Sequence, residues 1–193
     1  MKKMSAWGIV GLVVLGLIVI LGFASIGSYN NLVSLKENVD SKYADIDVQL
    51  QRRCDLIPNL VNTVKGFTDH ESSVLASISD SRAKLAGASS VSEKAEANQE
   101  LSNSLSRLLV VVENYPDLKA DSQFTALMDN LEGTENRLAV ARKDYNAAVE
   151  SYNKAVRSFP SVIFASMFGF QPAQRFEASE QAKTTTPTVD FSK

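Results

Sequence analysis

Arg52, Arg53, Asp55 and Asn59 crowd one stretch of this chain, and Glu132, Glu135, Asn136 and Arg142 crowd another. Carboxylates brought together in a cleft can act as general acid and base. Carboxylates facing the interior of a helical bundle can hold two irons, but such sites use Glu-x-x-His motifs. Here the one histidine, His70, directly precedes Glu71, and no second imidazole exists. The one cysteine, Cys54, excludes an intrachain disulfide, and the pair cannot build a Cys/His metal cluster. No catalytic residue, metal ligand or cofactor site is therefore assigned, and no small-molecule substrate is expected. The 20 basic residues stand against 22 acidic ones, for a net charge of -2, which excludes a strongly basic nucleic-acid binder. The charges are expected to work structurally, between helices.

The elements that would position them begin with an apolar run. No charge occurs between Lys3 and Lys36, and residues 6–24 read AWGIVGLVVLGLIVILGFA. As a helix this run is about 28 Å long, close to the thickness of a bilayer's hydrocarbon core. Trp7 stands at one end and Phe23 near the other, where interfacial aromatics are favoured, with Val13 and Leu17 between them. A transmembrane helix over 6–27 is expected, behind a short flank, 1–5. The run is longer than the apolar core of a cleaved signal. Lys2 and Lys3 favour an inner, cytoplasmic N-terminus and an external or periplasmic domain.

Beyond Asn30 the apolar residues recur every three or four positions, the period of a helix. The spacing predicts helices over about 30–65, 69–86, 91–114 and 122–159. Gly66 would end the first. Thr68 with Glu71, and Ser90 with Glu93, read as capping boxes for the second and third. Pro116 and Pro160 would close the third and fourth. Gly 9 and Pro 5 are few for a turn-rich β fold. The expected class is all-α: an N-terminal transmembrane helix, then a four-helix up-and-down antiparallel bundle, 28–170, with long first and last helices.

Register follows from these lengths. If the first and last helices rise antiparallel from one membrane level, Arg53 and Glu135 lie about 35 and about 36 Å up, and Asp47 and Arg142 about 26 Å each. Cross-helix ion pairs Arg53–Glu135 and Asp47–Arg142 are predicted. Pro58 lies mid-helix, where it removes one backbone bond and kinks the helix. Cys54 falls on the apolar stripe as a buried thiol. The charge-free run 160–170, PSVIFASMFGF, would return beside the bilayer. Phe159, Ile163, Phe164, Met167, Phe168 and Phe170 are its candidate membrane-proximal or oligomer contacts. Residues 171–193 read as a flexible tail.

These residues resemble a known family. The string YNNLVSLKENVDSKYADIDVQLQRRCDLIPNLVNTVKGFTDHE, from Tyr29 to Glu71, is similar to the signature of the bacterial LemA family. The likeness continues through ENYPDLK (113–119), LEGTEN (131–136), ARKDYN (141–146) and MFGF (167–170). The resemblance implies a membrane-anchored four-helix domain with no established enzymatic activity, and a related branch that takes part in forming magnetosome membranes. Two functions follow. One is a non-catalytic single-pass scaffold in the bacterial inner membrane, self-associating as a homo-oligomer or recruiting a membrane protein partner. The other is a sensor or adaptor that acts with a membrane protease or envelope-stress partner.

Overall fold

The computed structural model describes residues 6–68 and 71–177. The side chains of Ala6, Gly8, Ile9, Val10, Val13, Leu17, Ile18, Ile20, Leu21 and Ala24 lie outside that description, as does His70. The described residues form α1 (Ala6–Lys65), α2 (Ser72–Gly87), α3 (Val91–Val112), α4 (Pro116–Lys119), α5 (Ser122–Arg157) and α6 (Ser161–Phe168), with no strand among them. The all-α class is thus correct for these residues.

The membrane-spanning assignment is met only in part. The chain is helical through 6–27, in one piece with the rest of α1, yet among the described residues no helix is long and apolar enough to cross a membrane. Val13 and Leu17, two of the four residues assigned to the span, lie outside the described side chains, while Trp7 and Phe23 are exposed.

The chain divides into two compact units. The larger joins Lys42–Asn146 to the segment that begins at Gln174. Its interior is the apolar stripe of each helix: Ile46, Leu50, Ile57 and Val64 from α1, Leu75 and Ile78 from α2, Leu101 and Leu108 from α3, Leu131 and Leu138 from α5. Polar contacts give the helix directions. Arg82 of α2 reaches Cys54 of α1, and Lys84 of α2 pairs with Glu100 of α3. Lys94 of α3 pairs with Asp47 of α1, and Arg53 of α1 meets Glu135 of α5. Along this unit α1 and α3 run one way, and α2 and α5 the other.

The smaller unit joins Met1–Ser41 to Ala147–Ala173. Leu32 and Val39 of α1 are buried in it with Val149, Tyr152 and Val156 of α5 and with Phe164 and Ala165 of α6.

Local signals were partly right. Ser90 and Glu93 form the expected reciprocal capping box. Thr68 and Glu71 do not. α2 begins at Ser72 with no side-chain cap, the Thr68 hydroxyl is buried without a hydrogen-bond partner among the described residues, and Glu71 accepts from the Tyr115 hydroxyl at 3.2 Å. Gly66 ends α1 through a turn onto the Thr63 carbonyl, whereas the glycine in the left-handed region is Gly169 (φ 76°), which ends α6. Pro116 closes nothing alone. As the first residue of α4 it supplies a preset φ where its missing N–H costs no bond. Pro160 lies directly before α6, after a cis bond from Phe159.

The 171–193 tail assignment is also corrected for its first residues. Asn153 donates to the Ala173 carbonyl at 2.8 Å and accepts from the Ala173 amide at 2.7 Å. In the larger unit Asn146 treats Phe176 the same way, at 3.0 and 2.9 Å, and the Tyr145 hydroxyl donates to the Gln174 carbonyl at 2.7 Å. Each asparagine amide presents the donor and acceptor that a neighbouring β-strand would offer. Residues 171–177, which have no helical bonds of their own, are fastened in this way. The rest of the tail lies outside the described residues.

Candidate functional site

Arg53 is the centre of a polar layer in the larger unit. It sits on the buried stripe of α1, and its side chain is only 4% exposed. Its guanidinium meets the Glu135 carboxylate at 2.5 Å, donates to Ser102 at 3.2 Å and also to Asn98 of α3. Arg142 approaches the other Glu135 oxygen at 3.8 Å. One carboxylate therefore faces two arginines, and the carboxylate is the more exposed group, at 40%. Burial pulls both guanidinium pKa values down, and Glu135 opposes this in each case. The layer thus carries a desolvation cost that the carboxylate offsets in part.

The predicted pair Arg53–Glu135 is present. The predicted pair Asp47–Arg142 is absent: Asp47 pairs with Lys94 at 2.7 Å, and Arg142 turns to Glu135 and to the face of the Phe176 ring. The two-helix register left out α3, which brings Lys94 to Asp47. Burial alone would depress the Lys94 pKa, but its bonds to Asp47 and Tyr43 leave it raised.

Pro58 interrupts the backbone bonding of α1. α1 continues through it to Lys65, and the proline lacks the N–H that would reach back to the Cys54 carbonyl. Arg82 of α2 donates to that same carbonyl at 2.9 Å. The bond lost inside α1 is thereby replaced by one between helices. Cys54 itself is buried, as expected, and burial pushes its thiol pKa up. Below this level Ser77 and Ser81 of α2 share the Ser104 hydroxyl of α3, at 3.0 and 3.1 Å. The α1–α2–α3 side also carries an open groove of about 530 Å³ lined by Asp47, Gln51, Arg52, Asp55 and Lys94, among others.

In the smaller unit the candidate contact residues separate into two groups. Phe159 (81% exposed), Ile163 (52%), Met167 (67%) and Phe168 face outward. Phe164 does not: at 7% exposed it packs inward with Ala165, which corrects its assignment as a contact residue. Four-residue spacing puts Ile163 and Met167 on one side of α6, with Phe164 on another, while Phe159 lies in the turn before the helix. The Tyr29 ring lies edge-on to Phe168 at 5.0 Å and to Phe170 at 5.8 Å, so α6 lies against α1 here.

No group of three His, Cys, Asp or Glu side chains able to hold a metal occurs among the described residues. Among the described residues the chain is all-α, its charged groups pair between helices, and its exposed large apolar groups lie mostly on the N-terminal part of α1 and on α6. The LemA family profile matches residues 42–191, and the chain belongs to the LemA family. Magnetosome protein MamQ 2 of Paramagnetospirillum magneticum is 28% identical over 187 residues, covering 83% of this chain and 68% of that protein. Magnetosome protein MamQ of Magnetospirillum gryphiswaldense is 26% identical, with the same coverage. Protein LemA of Metamycoplasma hominis is 21% identical over 170 residues, covering 88% of this chain and 78% of that protein.

Proposed function

We propose that this chain is a non-catalytic helical scaffold held at the bacterial inner membrane by the N-terminal part of α1. It would act by self-association or by recruiting a membrane protein partner, with its ion-paired domain on the outer side. The observation that carries this reading is the charge-free sequence from Met4 to Leu35, which is helical from Ala6 and belongs to the same helix as Arg53 and Pro58. That two of its relatives are named magnetosome proteins supports a place in an assembly. The charged clusters support it too, because their side chains are spent on one another: Arg53, Glu135 and Arg142 form one layer, and Lys94 and Asp47 one pair.

A second reading, a sensor or adaptor working with a membrane protease or envelope-stress partner, draws on the continuity of α1 from Ala6 to Lys65. The two readings separate in a size measurement on the full-length chain reconstituted in nanodiscs or extracted in mild detergent. A scaffold gives dimers or larger species that persist on dilution. A strictly monomeric chain overturns self-assembly and favours the adaptor.

A further inference from the structure

We propose that α6 is a second membrane contact, a short helix that lies in the bilayer interface with Phe159, Ile163 and Met167 in the lipid. The proposal rests on the membrane-anchored reading above and adds a specific surface to it. α6 has eight residues, about 12 Å of helix, which is too short to span and long enough to lie flat. Its inner side is occupied, since Phe164 and Ala165 are buried in the smaller unit. Its outer side is not: Val162, Ile163 and Met167 are exposed, an apolar surface at helical spacing, and Phe159 in the turn before the helix is exposed as well.

The helix is held in place at its end and beyond. Gly169 turns the chain in the left-handed region, which no side chain favours, and the Phe170 amide bonds back to the Ala165 carbonyl at 2.9 Å. Two bonds from Asn153 then pin Ala173. The exposed stripe is thus presented by a fastened element.

What covers the stripe follows from its neighbours and its charges. Tyr29, which touches Phe168 and Phe170, follows the apolar run 6–24 by five residues on α1, about 7.5 Å along the helix. Phe23, near the end of that run, and Ile26, between it and Tyr29, are exposed as well. The α6 surface therefore continues the apolar surface of the anchor. From Ser158 to Gln174 the sequence carries no charge, while Lys154 and Arg157 precede it at the end of α5. An uncharged insert with cations at its edge suits acyl chains below anionic headgroups. A protein partner would be expected to meet some polar pairing at the rim.

The test uses the full-length chain, with Cys54→Ala, reconstituted into phosphatidylcholine vesicles containing a minority of phosphatidylglycerol. An environment-sensitive fluorophore is attached in turn at Ile163→Cys, Met167→Cys, Leu15→Cys and Asp129→Cys, with shallow nitroxide-labelled lipid as quencher for the stripe and deep nitroxide-labelled lipid for Leu15→Cys. Helical content by circular dichroism selects the folded variants, and two sites on the stripe guard against loss of one. Quenching at Ile163→Cys or Met167→Cys several-fold above that at Asp129→Cys is the expected result. Quenching at Leu15→Cys without quenching at the stripe overturns the proposal and leaves the anchor intact. No quenching at any site overturns both. A stripe label that is shielded from water, unquenched by lipid and close to its counterpart in another copy shows a protein contact instead, and also overturns the proposal.

Discussion

Exchanging Arg82 for methionine tests whether the bond that Pro58 removes from α1 has been moved between helices. Arg82 Nε donates to the Cys54 carbonyl at 2.9 Å in a part-buried setting. Removing the guanidinium leaves that carbonyl without its donor, and an unsatisfied part-buried acceptor costs about 1–2 kcal/mol. Methionine keeps much of the aliphatic packing. In a Pro58→Ala background the new amide can serve the same carbonyl, as in any helix interior. There Arg82→Met should cost no more than about 0.5 kcal/mol, so the cycle gives a coupling of about 1 kcal/mol. For a chain of this size the single variant should lose about 2–8 °C in Tm. The assay is urea and thermal unfolding of the full-length chain in detergent, followed by circular dichroism, for wild type, both single variants and the double variant. Equal cost of Arg82→Met in the two backgrounds would refute the reasoning.

The ion layer makes a second prediction. Glu135→Gln leaves Arg53 buried at 4% exposure without its counter-charge and should cost about 2 kcal/mol in the same unfolding assay, less than a fully buried pair because solvent reaches the carboxylate. A loss within about 0.5 kcal/mol would show that the layer does not hold the helices. Asn146→Ala removes both bonds to Phe176 and should raise amide exchange across residues 174–177 while leaving α2 and α3 unchanged; unchanged exchange there would mean the asparagine does not fasten the strap. The Glu93 carboxyl, which accepts from the Ser89 and Ser90 amides, is held down at about 2. Because this is below its unfolded value of 4.5, its contribution to stability is complete above pH 4.5 and fades as pH falls toward 2. Glu93→Gln should therefore narrow its gap from wild type as the urea midpoint is followed down through that window, and a constant gap would contradict the assignment.

The parts that could be read from the sequence were those carried by period. The stripes Ile46–Leu50–Ile57–Val64 and Leu131–Leu138–Tyr145 follow helical spacing and are buried where expected. Ser90 and Glu93 were legible because both halves of a capping box are local. Thr68 and Glu71 present the same pattern and fail, because Tyr115, distant in sequence, takes the Glu71 carboxylate. Asp47 fails for the same reason, its charge being met by Lys94 on a helix that the two-helix register ignored. The strap over 171–177 is hidden because it bonds through its own backbone groups, which sequence does not mark. Arg82 did leave a signal that went unused. A proline inside a helix frees the carbonyl four residues back, and a donor on the next helix is the natural thing to seek.

The α6 helix shows how a true signal can be assigned too coarsely. Its apolar run is visible in the sequence, but Pro160 reads there as an end, and in the structure it is the residue before a new helix. Once Ser161–Phe168 is helical, Phe164 must leave the side that carries Ile163 and Met167, and it is buried accordingly.

The central claim is that the N-terminal part of α1 holds this protein in a membrane. Alkaline carbonate extraction of cell membranes tests it most directly, on the full-length chain and on a variant lacking residues 1–27. The full-length chain should remain with the membrane pellet and the shortened one should pass to the supernatant. Release of the full-length chain by carbonate would contradict the account.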